Sequence, residues 1–471
     1  MSKRIEWGRK PDMIRMSVLL SVFFVASSIG YAQKVHLPPS TRHTLSNGLT
    51  VILMEYKKVP VVHFRLITRG GSAQDPAGLE GIAAITTALM RQGTTTRTAT
   101  QIAEQVDFIG ASLSAAAGLD YCAVNSQMLK KDVQTGFELF SDIILNPVFA
   151  QEELERQRKQ RLGELDAIKE DPGRVAGVVF NTTVYGSHPY ARQSFGTRSS
   201  IQSFTREQAA AFHRRMFIPN NSVLVVVGDF ASGEMLKMIE ARLGQWKSGE
   251  RNSSPLPTPE RKKDKSVVVV DKEDATQTQI RIGNIGVSAN NPDNYAITVA
   301  NAVFGNGFTS RLVDELRVKR SLTYGANSSF SGNLSGGTYA ISTFTKNETL
   351  GETVDVVLEE VRKFREKGAS AEEVRKGQNY VAGEFARGLQ SPEALAWNVT
   401  NVELYGYPGD YLDTYIEKLK AVGTADVQRV AREYFLLNDL LFVFVGPATQ
   451  VSPVVQRYGT VRVMELKDAV Q

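Results

Sequence analysis

Residues 212–228 read FHRRMFIPNNSVLVVVG, and residues 431–446 read AREYFLLNDLLFVFVG. Each stretch combines a basic amphipathic helix pattern, a polar turn and an apolar run that is typical of a buried strand. Helical patterns at 151–168 and 371–389 also correspond, and the pairs Leu154/Val374, Glu164/Glu384 and Pro172/Pro392 keep one constant spacing. The chain is therefore predicted to contain two copies of one α+β unit, a tandem duplication.

The order of patterns inside a half predicts its architecture. Residues 49–55 and 61–69 alternate as strands, residues 81–91 and 99–106 have helical periodicity, and residues 111–128 return as two strands. Strands followed by helices favour antiparallel sheets with helices packed on one face over repeated βαβ units. The fold class expected is α+β.

The boundary between the halves follows from composition. Residues 248–266, SGERNSSPLPTPERKKDKS, are polar, charged and interrupted by proline. Such a segment cannot build a core, so it is predicted to be the linker. The N-terminal domain is expected at 40–247 and the C-terminal domain at 267–465.

The first 32 residues have the pattern of a signal peptide. A basic start is followed by an apolar stretch at 16–29 and by small residues before Ala32. Cleavage would remove five basic and two acidic residues and lower the net charge from +5 to +2, so nothing electrostatic indicates nucleic-acid binding. Retention as a membrane anchor is the alternative, but the run is short for a span. We expect a secreted or periplasmic protein without stable membrane insertion after cleavage.

Residues 310–324, SRLVDELRVKRSLTY, hold the strongest candidate for a binding site. Helical spacing predicts Arg317 near a helix end and Tyr324 at the start of a strand. A guanidinium and a phenol at such a junction can both donate hydrogen bonds to a peptide carbonyl or a developing oxyanion. The alternative is that Arg317 pairs with Asp314 and that Tyr324 packs as an ordinary strand aromatic.

This segment resembles the second half of the M16 metallopeptidases, the pitrilysin and mitochondrial-processing-peptidase family, and the resemblance runs from about residue 43 to about residue 463. It implies the LuxS/MPP-like metallohydrolase fold, in which a chain of two such halves forms half of a clam-shell chamber. It also implies that Arg317 and Tyr324 bind substrate. Gly305 and Gly307, just before the segment, either let the backbone approach that substrate or form a tight turn.

Zinc-binding members of that family carry an HxxEH helix, whose two histidines bind zinc while the glutamate activates water. Alignment on Gly93-Thr94 and on residues 81–83 puts Ala84, Thr87 and Ala88 at those three positions. Glu164 falls where the third ligand belongs, but Glu384 takes the same place in the second half, where no metal is expected. We therefore expect a degenerate zinc site and no metal bound by this chain alone.

The resemblance implies a division of labour between two subunits, because half-chamber members often pair a zinc subunit with one that supplies the Arg/Tyr pair. We expect this chain to be the non-zinc, substrate-binding subunit of a secreted heterodimeric zinc peptidase, without catalytic residues of its own. Its expected partner is an HxxEH-containing M16 subunit that carries the zinc, and its expected ligand is a peptide substrate. The alternative is a purely structural or assembly subunit, as respiratory-complex core proteins resemble the family without proteolysis.

Overall fold

The computed structural model describes residues 37–251 and 255–470. The predicted signal peptide, residues 1–32, lies outside this range, so its prediction stays a prediction. Within the described residues, no helix is long and apolar enough to cross a membrane.

The first half begins with three strands and then alternates helices with strands. The elements are β1 (Ser40–Thr44), β2 (Thr50–Glu55), β3 (Val61–Arg69), α1 (Ile82–Met90), α2 (Ala99–Phe108), β4 (Ser112–Ala117), β5 (Tyr121–Leu129), α3 (Val133–Leu145), α4 (Gln151–Lys169), α5 (Pro172–Tyr185), α6 (Arg198–Ser203), α7 (Arg206–Met216), β6 (Ser222–Gly228) and α8 (Ser232–Leu243).

The second half repeats most of this order of elements. Within its described residues it has no counterpart of β1 and has instead an additional strand near its end. The elements are β7 (Ser266–Asp271), β8 (Gln277–Ile285), α9 (Asn294–Phe304), α10 (Arg311–Val313), a π-helix (Asp314–Lys319), β9 (Ala326–Phe330), β10 (Thr338–Lys346), α11 (Leu350–Lys367), α12 (Ala371–Arg387), α13 (Pro392–Tyr405), α14 (Tyr411–Lys420), α15 (Thr424–Tyr434), β11 (Leu441–Gly446), α16 (Ala448–Val455), β12 (Thr460–Glu465) and α17 (Leu466–Ala469).

Each half folds around one six-stranded sheet. Five strands have the same order in both sheets, and only the first edge strand, β1 or β12, differs. The first runs β1-β2-β6-β3-β5-β4 and the second β12-β7-β11-β8-β10-β9. The predicted duplication and fold class are confirmed, although β2 pairs with β6, and β7 with β11, in parallel. A parallel pair needs a long crossover, and the helices before β6 and β11 provide it. The edge strands differ, because β1 is antiparallel and β12 parallel to its neighbour.

Helices cover both faces of each sheet, and one of them comes from the other half. On β3, Phe64 points to one face and packs its ring 5.1 Å from that of Phe137 on α3. The next residue, Arg65, points to the opposite face and lies 4.4 Å from the ring centre of Trp397 on α13. Helix α13 lies on β3 and β6, and α5 lies on β8 and β11. The halves therefore exchange one helix each, which the expectation of helices on one face did not include.

The exchanged helices begin in the same way, because local sequence fixes their N-termini. Asp171 caps α5 by accepting from the backbone N–H groups of Gly173 and Arg174, and Ser391 caps α13. Pro172 and Pro392 follow as the first helical residues, where the missing N–H is not needed. The capping residue and the proline that follows it explain why α5 and α13 begin at equivalent positions in the two halves.

A cluster of hydrogen bonds fastens the first half to the β9–β10 loop of the second. Tyr190 donates its hydroxyl hydrogen to Asp120 Oδ1, and Asp120 Oδ2 accepts from the Leu334 N–H at 3.0 Å. The Ser335 N–H donates to the Tyr190 hydroxyl at 3.2 Å. Burial raises the pKa of Asp120, while the Tyr190 hydroxyl and the Leu334 N–H oppose that rise. The loop of the second half is thus held by buried polar groups of the first.

The described part of the predicted linker lacks regular structure but is anchored. Arg261 Nε donates to the Ile285 carbonyl at 3.1 Å, and Asn284 Nδ2 donates to the Lys262 carbonyl at 2.9 Å. His188 Nε2 lies 2.7 Å from the Pro257 carbonyl oxygen. Residues 255–265 therefore run along both halves before β7 begins at Ser266.

Candidate functional site

Helix α1 carries the three positions at which a zinc-binding relative would have HxxEH. Ala84 and Ala88 are half-buried and Thr87 is buried. The Thr87 hydroxyl lies 3.0 Å from both the Ala83 and the Ala84 carbonyl oxygens, so it is bonded inside its own helix. None of the three side chains can supply an imidazole or a carboxylate to a metal.

A guanidinium occupies the space beside these positions. Arg161, on α4, donates from Nη2 to the Ala84 carbonyl at 2.7 Å. Burial lowers the pKa of Arg161, while the neighbouring Glu164 opposes that shift. A positive charge at the first position of the degenerate motif disfavours a metal cation there. No sequence pattern indicates a role for Arg161, although it lies one helical turn before Glu164.

Glu164, the remnant of the ligand set, does not face a metal site. It is exposed on α4, and its Oε1 accepts from Gln160 Nε2 at 3.0 Å. Across residues 37–251 and 255–470, no group of three or more His, Cys, Asp and Glu side chains is placed to hold a metal. A zinc site needs three or four protein ligands, so these residues do not fit zinc.

In the second half, Arg317 lies on a helix that widens before it ends. Helix α10 continues into the π-helix Asp314–Lys319, and such widening is often found at functional positions. The helix stops at Ser321, whose φ of 54° is left-handed, and the Leu322 N–H reaches back to the Leu316 carbonyl at 2.8 Å. Leu316 is buried in the core, which turns Arg317 to the surface.

Arg317 differs from the other charged residues of its segment. Residues 310–324 are all described, and within them Arg311 pairs with Glu373, Lys319 with Asp314 and Glu315, and Arg320 with Glu315 and Glu352. Arg317 makes no ion pair with any described residue. Its Cζ atom lies 5.8 Å from the ring centre of Phe308, which is 82% exposed. The alternative in which Arg317 pairs with Asp314 is wrong, because Asp314 Oδ2 lies 2.9 Å from Lys319 Nζ.

Tyr324 is also available at the surface. It lies two residues before β9, and its side chain is 80% exposed. It is therefore not packed as a strand aromatic. In this fully described segment, no hydrogen bond joins Tyr324 to Arg317.

The two glycines have different surroundings. A Cβ atom on Gly305 would lie 2.5 Å from Ser328 Oγ and 2.8 Å from the Ser328 backbone nitrogen, so close packing against β9 requires glycine. Gly307 has a φ of +140°, and a Cβ atom there would lie 3.5 Å from the Tyr380 ring, an ordinary contact. Gly305 therefore has a structural role, while Gly307 forms the turn before the exposed Phe308. No sequence motif indicates that Phe308 and Tyr380 lie beside this turn.

Comparisons with known proteins agree with this architecture. The family model described as insulinase (peptidase family M16) matches residues 50–198, and the one described as peptidase M16 inactive domain matches residues 203–381. An uncharacterized zinc protease of Mycobacterium leprae is 26% identical over 84% of this chain and 89% of its own length. One of Rickettsia felis is 28% identical over 83% of this chain and 94% of its own length.

Among solved structures, a peptidase M16 inactive domain from Pseudomonas fluorescens is similar, with a TM-score of 0.82 and 24% identity. The match covers 87% of this chain and 98% of that one. The likeness in structure concerns the fold, and the two family models together match well over half of the sequence. This chain therefore belongs to the M16 peptidase family.

Proposed function

We propose that this chain is the non-zinc, substrate-binding subunit of a secreted M16-type heterodimeric peptidase. Its partner is an M16 subunit with an intact HxxEH motif, which carries the zinc. The chain itself binds no cofactor and contributes Arg317 and Tyr324 to the peptide near the partner's zinc. The signal pattern of residues 1–32 supports secretion or a periplasmic location.

One observation carries this proposal: Arg317 and Tyr324 are exposed, and neither makes an ion pair or a hydrogen bond with a described residue. An arginine serving only the stability of its helix would be expected to pair with a neighbouring acid, as Arg311 and Arg320 do. A tyrosine serving only strand packing would be buried. Both side chains instead keep donors free for a ligand that carries peptide carbonyls.

The chemistry of such donors fits peptide hydrolysis in a shared chamber. A guanidinium and a phenol can hold the substrate backbone and donate more strongly as negative charge develops on the carbonyl oxygen. They cannot generate a nucleophile at neutral pH, because neither acts as a base there. Hydrolysis therefore requires the partner. This agrees with Ala84, Thr87 and Ala88, which stand where a zinc-binding subunit has its two histidines and its glutamate.

The alternative, a structural or assembly subunit, makes Arg317 and Tyr324 irrelevant to turnover. Co-expression with an HxxEH-containing M16 homologue from the same organism separates the two functions. We expect a complex that is stable on gel filtration and hydrolyses peptides, with neither chain active alone. Two separately eluting proteins, or equal activity of the zinc subunit with and without this chain, would contradict the proposal.

A further inference from the structure

Three side chains enclose Arg65 in the middle of the first sheet. Arg65 Nη1 donates to Asn125 Oδ1 at 2.6 Å. Its Cζ atom lies 4.4 Å from the ring centre of Trp397, on the exchanged helix α13, and 5.8 Å from that of Tyr121. An amide and two aromatic rings therefore fill the space around this guanidinium.

The strand registers identify Arg281 as the equivalent residue of the second half. Arg65 lies opposite Asn125 on β5 and Val225 on β6. Arg281 lies opposite Ser342 on β10 and Val443 on β11, the corresponding strands. The two arginines thus occupy the same position in two copies of one sheet.

All three partners of Arg65 are replaced by smaller residues around Arg281. Ser342 stands in the place of Asn125. Thr338, the first residue of β10, corresponds to Tyr121, the first residue of β5. Gly177, at the sixth position of α5, corresponds to Trp397 at the sixth position of α13. The second half therefore has the equivalent arginine without the amide and the two aromatic rings that surround Arg65.

A cavity of about 350 Å³ lies beside Arg281, between α5, the loop after it and the second sheet. Arg281, Thr338, Ser329, Asn181, Gln193 and Arg192 are among the residues that line it. Arg281 lies against α5, because a Cβ atom on Gly177 would be 3.4 Å from its Nη2 atom. Burial lowers the pKa of Arg281. The described residues offer this guanidinium neither an ion pair nor a hydrogen-bond acceptor, and the cavity lining they form contains no acidic side chain.

We propose that this cavity binds the C-terminal residue of a peptide, with its carboxylate on Arg281. The planar guanidinium matches a carboxylate in geometry and charge, and such pairs form strong charge-assisted hydrogen bonds. The side chain of the bound residue takes the remaining space of the cavity, between α5 and the second sheet. Gln193 Oε1 is buried and has no donor among the described residues, so it can accept from the N–H of the same bound residue.

The volume agrees with a ligand of one residue, since small-molecule sites range over roughly 300–1,000 Å³. The choice of a peptide as the source of the carboxylate rests on the proposed function. Carboxylate binding by Arg281 does not, because it needs neither the partner nor its zinc. The two proposals can therefore fail separately.

Calorimetric titration of the purified chain with N-acetyl-L-phenylalanine and with N-acetyl-L-phenylalaninamide tests the site. The two compounds differ only in the carboxylate, so we expect the acid to bind about tenfold to a hundredfold more tightly. Equal affinities, or no binding of the acid, would overturn the proposal. Benzoate, a carboxylate without the N–H group, is expected to bind at least about tenfold more weakly than the acid. Equal affinity for benzoate would overturn the assignment to a peptide C-terminus.

Variants assign the binding to this cavity. Arg281→Gln removes the charge without breaking an ion pair or hydrogen bond to any described residue, and it should abolish the preference for acid over amide while leaving Tm nearly unchanged. Gly177→Trp places a ring against the Arg281 guanidinium, as Trp397 lies against Arg65, and should weaken binding of the acid by covering the cation. Gly177→Ala tests whether the helix tolerates a side chain. Arg462→Gln, which removes an exposed charge on β12, is the control and should bind as the wild type does. Unchanged acid binding in Arg281→Gln would overturn the assignment.

Discussion

Arg161 Nη2 donates a hydrogen bond of 2.7 Å to the carbonyl oxygen of Ala84, the first position of the degenerate zinc motif. The helix positions that lack metal ligands thus have the Arg161 guanidinium beside them. The guanidinium contributes a hydrogen bond between α4 and α1, which stabilises the helix pair without metal. The site therefore departs from the zinc pattern in charge as well as in ligand identity.

Installing an HxxEH motif on α1 should give only weakened zinc binding while Arg161 is present. We expect the triple variant Ala84→His, Thr87→Glu, Ala88→His to bind zinc at least about tenfold more weakly than the same variant with Arg161→Gln, because two cations a few ångströms apart repel strongly at a half-buried site. Competition with a chelating dye measures both affinities, and thermal unfolding shows whether each variant folds. Equal zinc affinities would contradict the role given to Arg161. Wild-type protein that holds one zinc per chain, lost in Glu164→Gln, would contradict the degenerate site itself.

Much of the fold could be predicted because it depends on local patterns. The bounds of β3 and the break before Pro172 follow from alternation and from helix-capping signals that neighbouring residues supply. The exchange of α5 and α13 could not be predicted, because the apolar face of a helix does not specify which of two similar sheets it covers. Parallel pairing of β2 with β6 depends likewise on a crossover path rather than on either strand's sequence.

The candidate site was predicted in its residue types but not in its geometry. The spacing of Arg317 and Tyr324 placed them at a helix-strand junction, whereas the π-helix depends on burial of Leu316 and on the turn at Ser321. The position of the Arg161 guanidinium could not be predicted, because the sequence of a polar helix does not indicate where a long charged side chain points. The exposure of Phe308 depends on the turn at Gly307, which the residue type alone does not reveal.

The hydrogen-bond cluster between the halves gives a stability prediction. Tyr190→Phe removes the hydroxyl that donates to buried Asp120, and we expect the free energy of unfolding to fall by about 1–3 kcal/mol. Tyr324→Phe is the matched control, because it deletes the same atom from an exposed side chain that has no hydrogen bond with the described part of the chain. Urea denaturation measures both. Equal stability of the two variants would mean that the cluster contributes nothing measurable.

Buried histidine makes stability depend on pH. Burial lowers the pKa of His213 from about 6.5 to about 4, while the Ile144 carbonyl, 3.0 Å from its Nε2 atom, opposes that shift. As the pH falls, the unfolded chain therefore binds a proton on this histidine before the folded chain does. The contribution of neutral His213 to the free energy of unfolding is complete above pH 6.5 and is lost as the pH falls toward 4. The loss amounts to about 3 kcal/mol. His213→Gln should reduce the pH dependence of the unfolding free energy over that interval by about this amount, while buried His63, whose pKa is lowered to about 4 by burial, continues to contribute. Parallel profiles for wild type and His213→Gln would contradict this assignment.

Gly305 tests whether the glycine turn is structural. Gly305→Ala forces a methyl group against Ser328, at 2.5–2.8 Å from its atoms, and should destabilise the protein by about 1–3 kcal/mol. Gly163→Ala, on the exposed face of α4 with no atom within 4 Å of the added methyl, should instead stabilise it by about 0.5–1 kcal/mol. Thermal unfolding distinguishes the two. If Gly305→Ala leaves Tm unchanged but weakens peptide binding in the heterodimer, the glycine serves the substrate rather than the packing.

Arg317 and Tyr324 are predicted to act on turnover and not on stability. Tyr324→Phe keeps the ring and removes only the hydroxyl, and Arg317→Lys keeps the charge but loses the planar fork. In the reconstituted heterodimer, losing one donor to the developing oxyanion should lower kcat by about a hundredfold or more, equivalent to a few kcal/mol of transition-state stabilisation. Zinc content, dimer stability and Tm should stay at wild-type values, because neither side chain has an ion pair or hydrogen bond to a described residue. Arg462→Gln is the control for a surface arginine without a role in turnover. Wild-type kcat in both variants would favour the structural-subunit function, since exposed donors that contact no substrate have no other effect on the reaction.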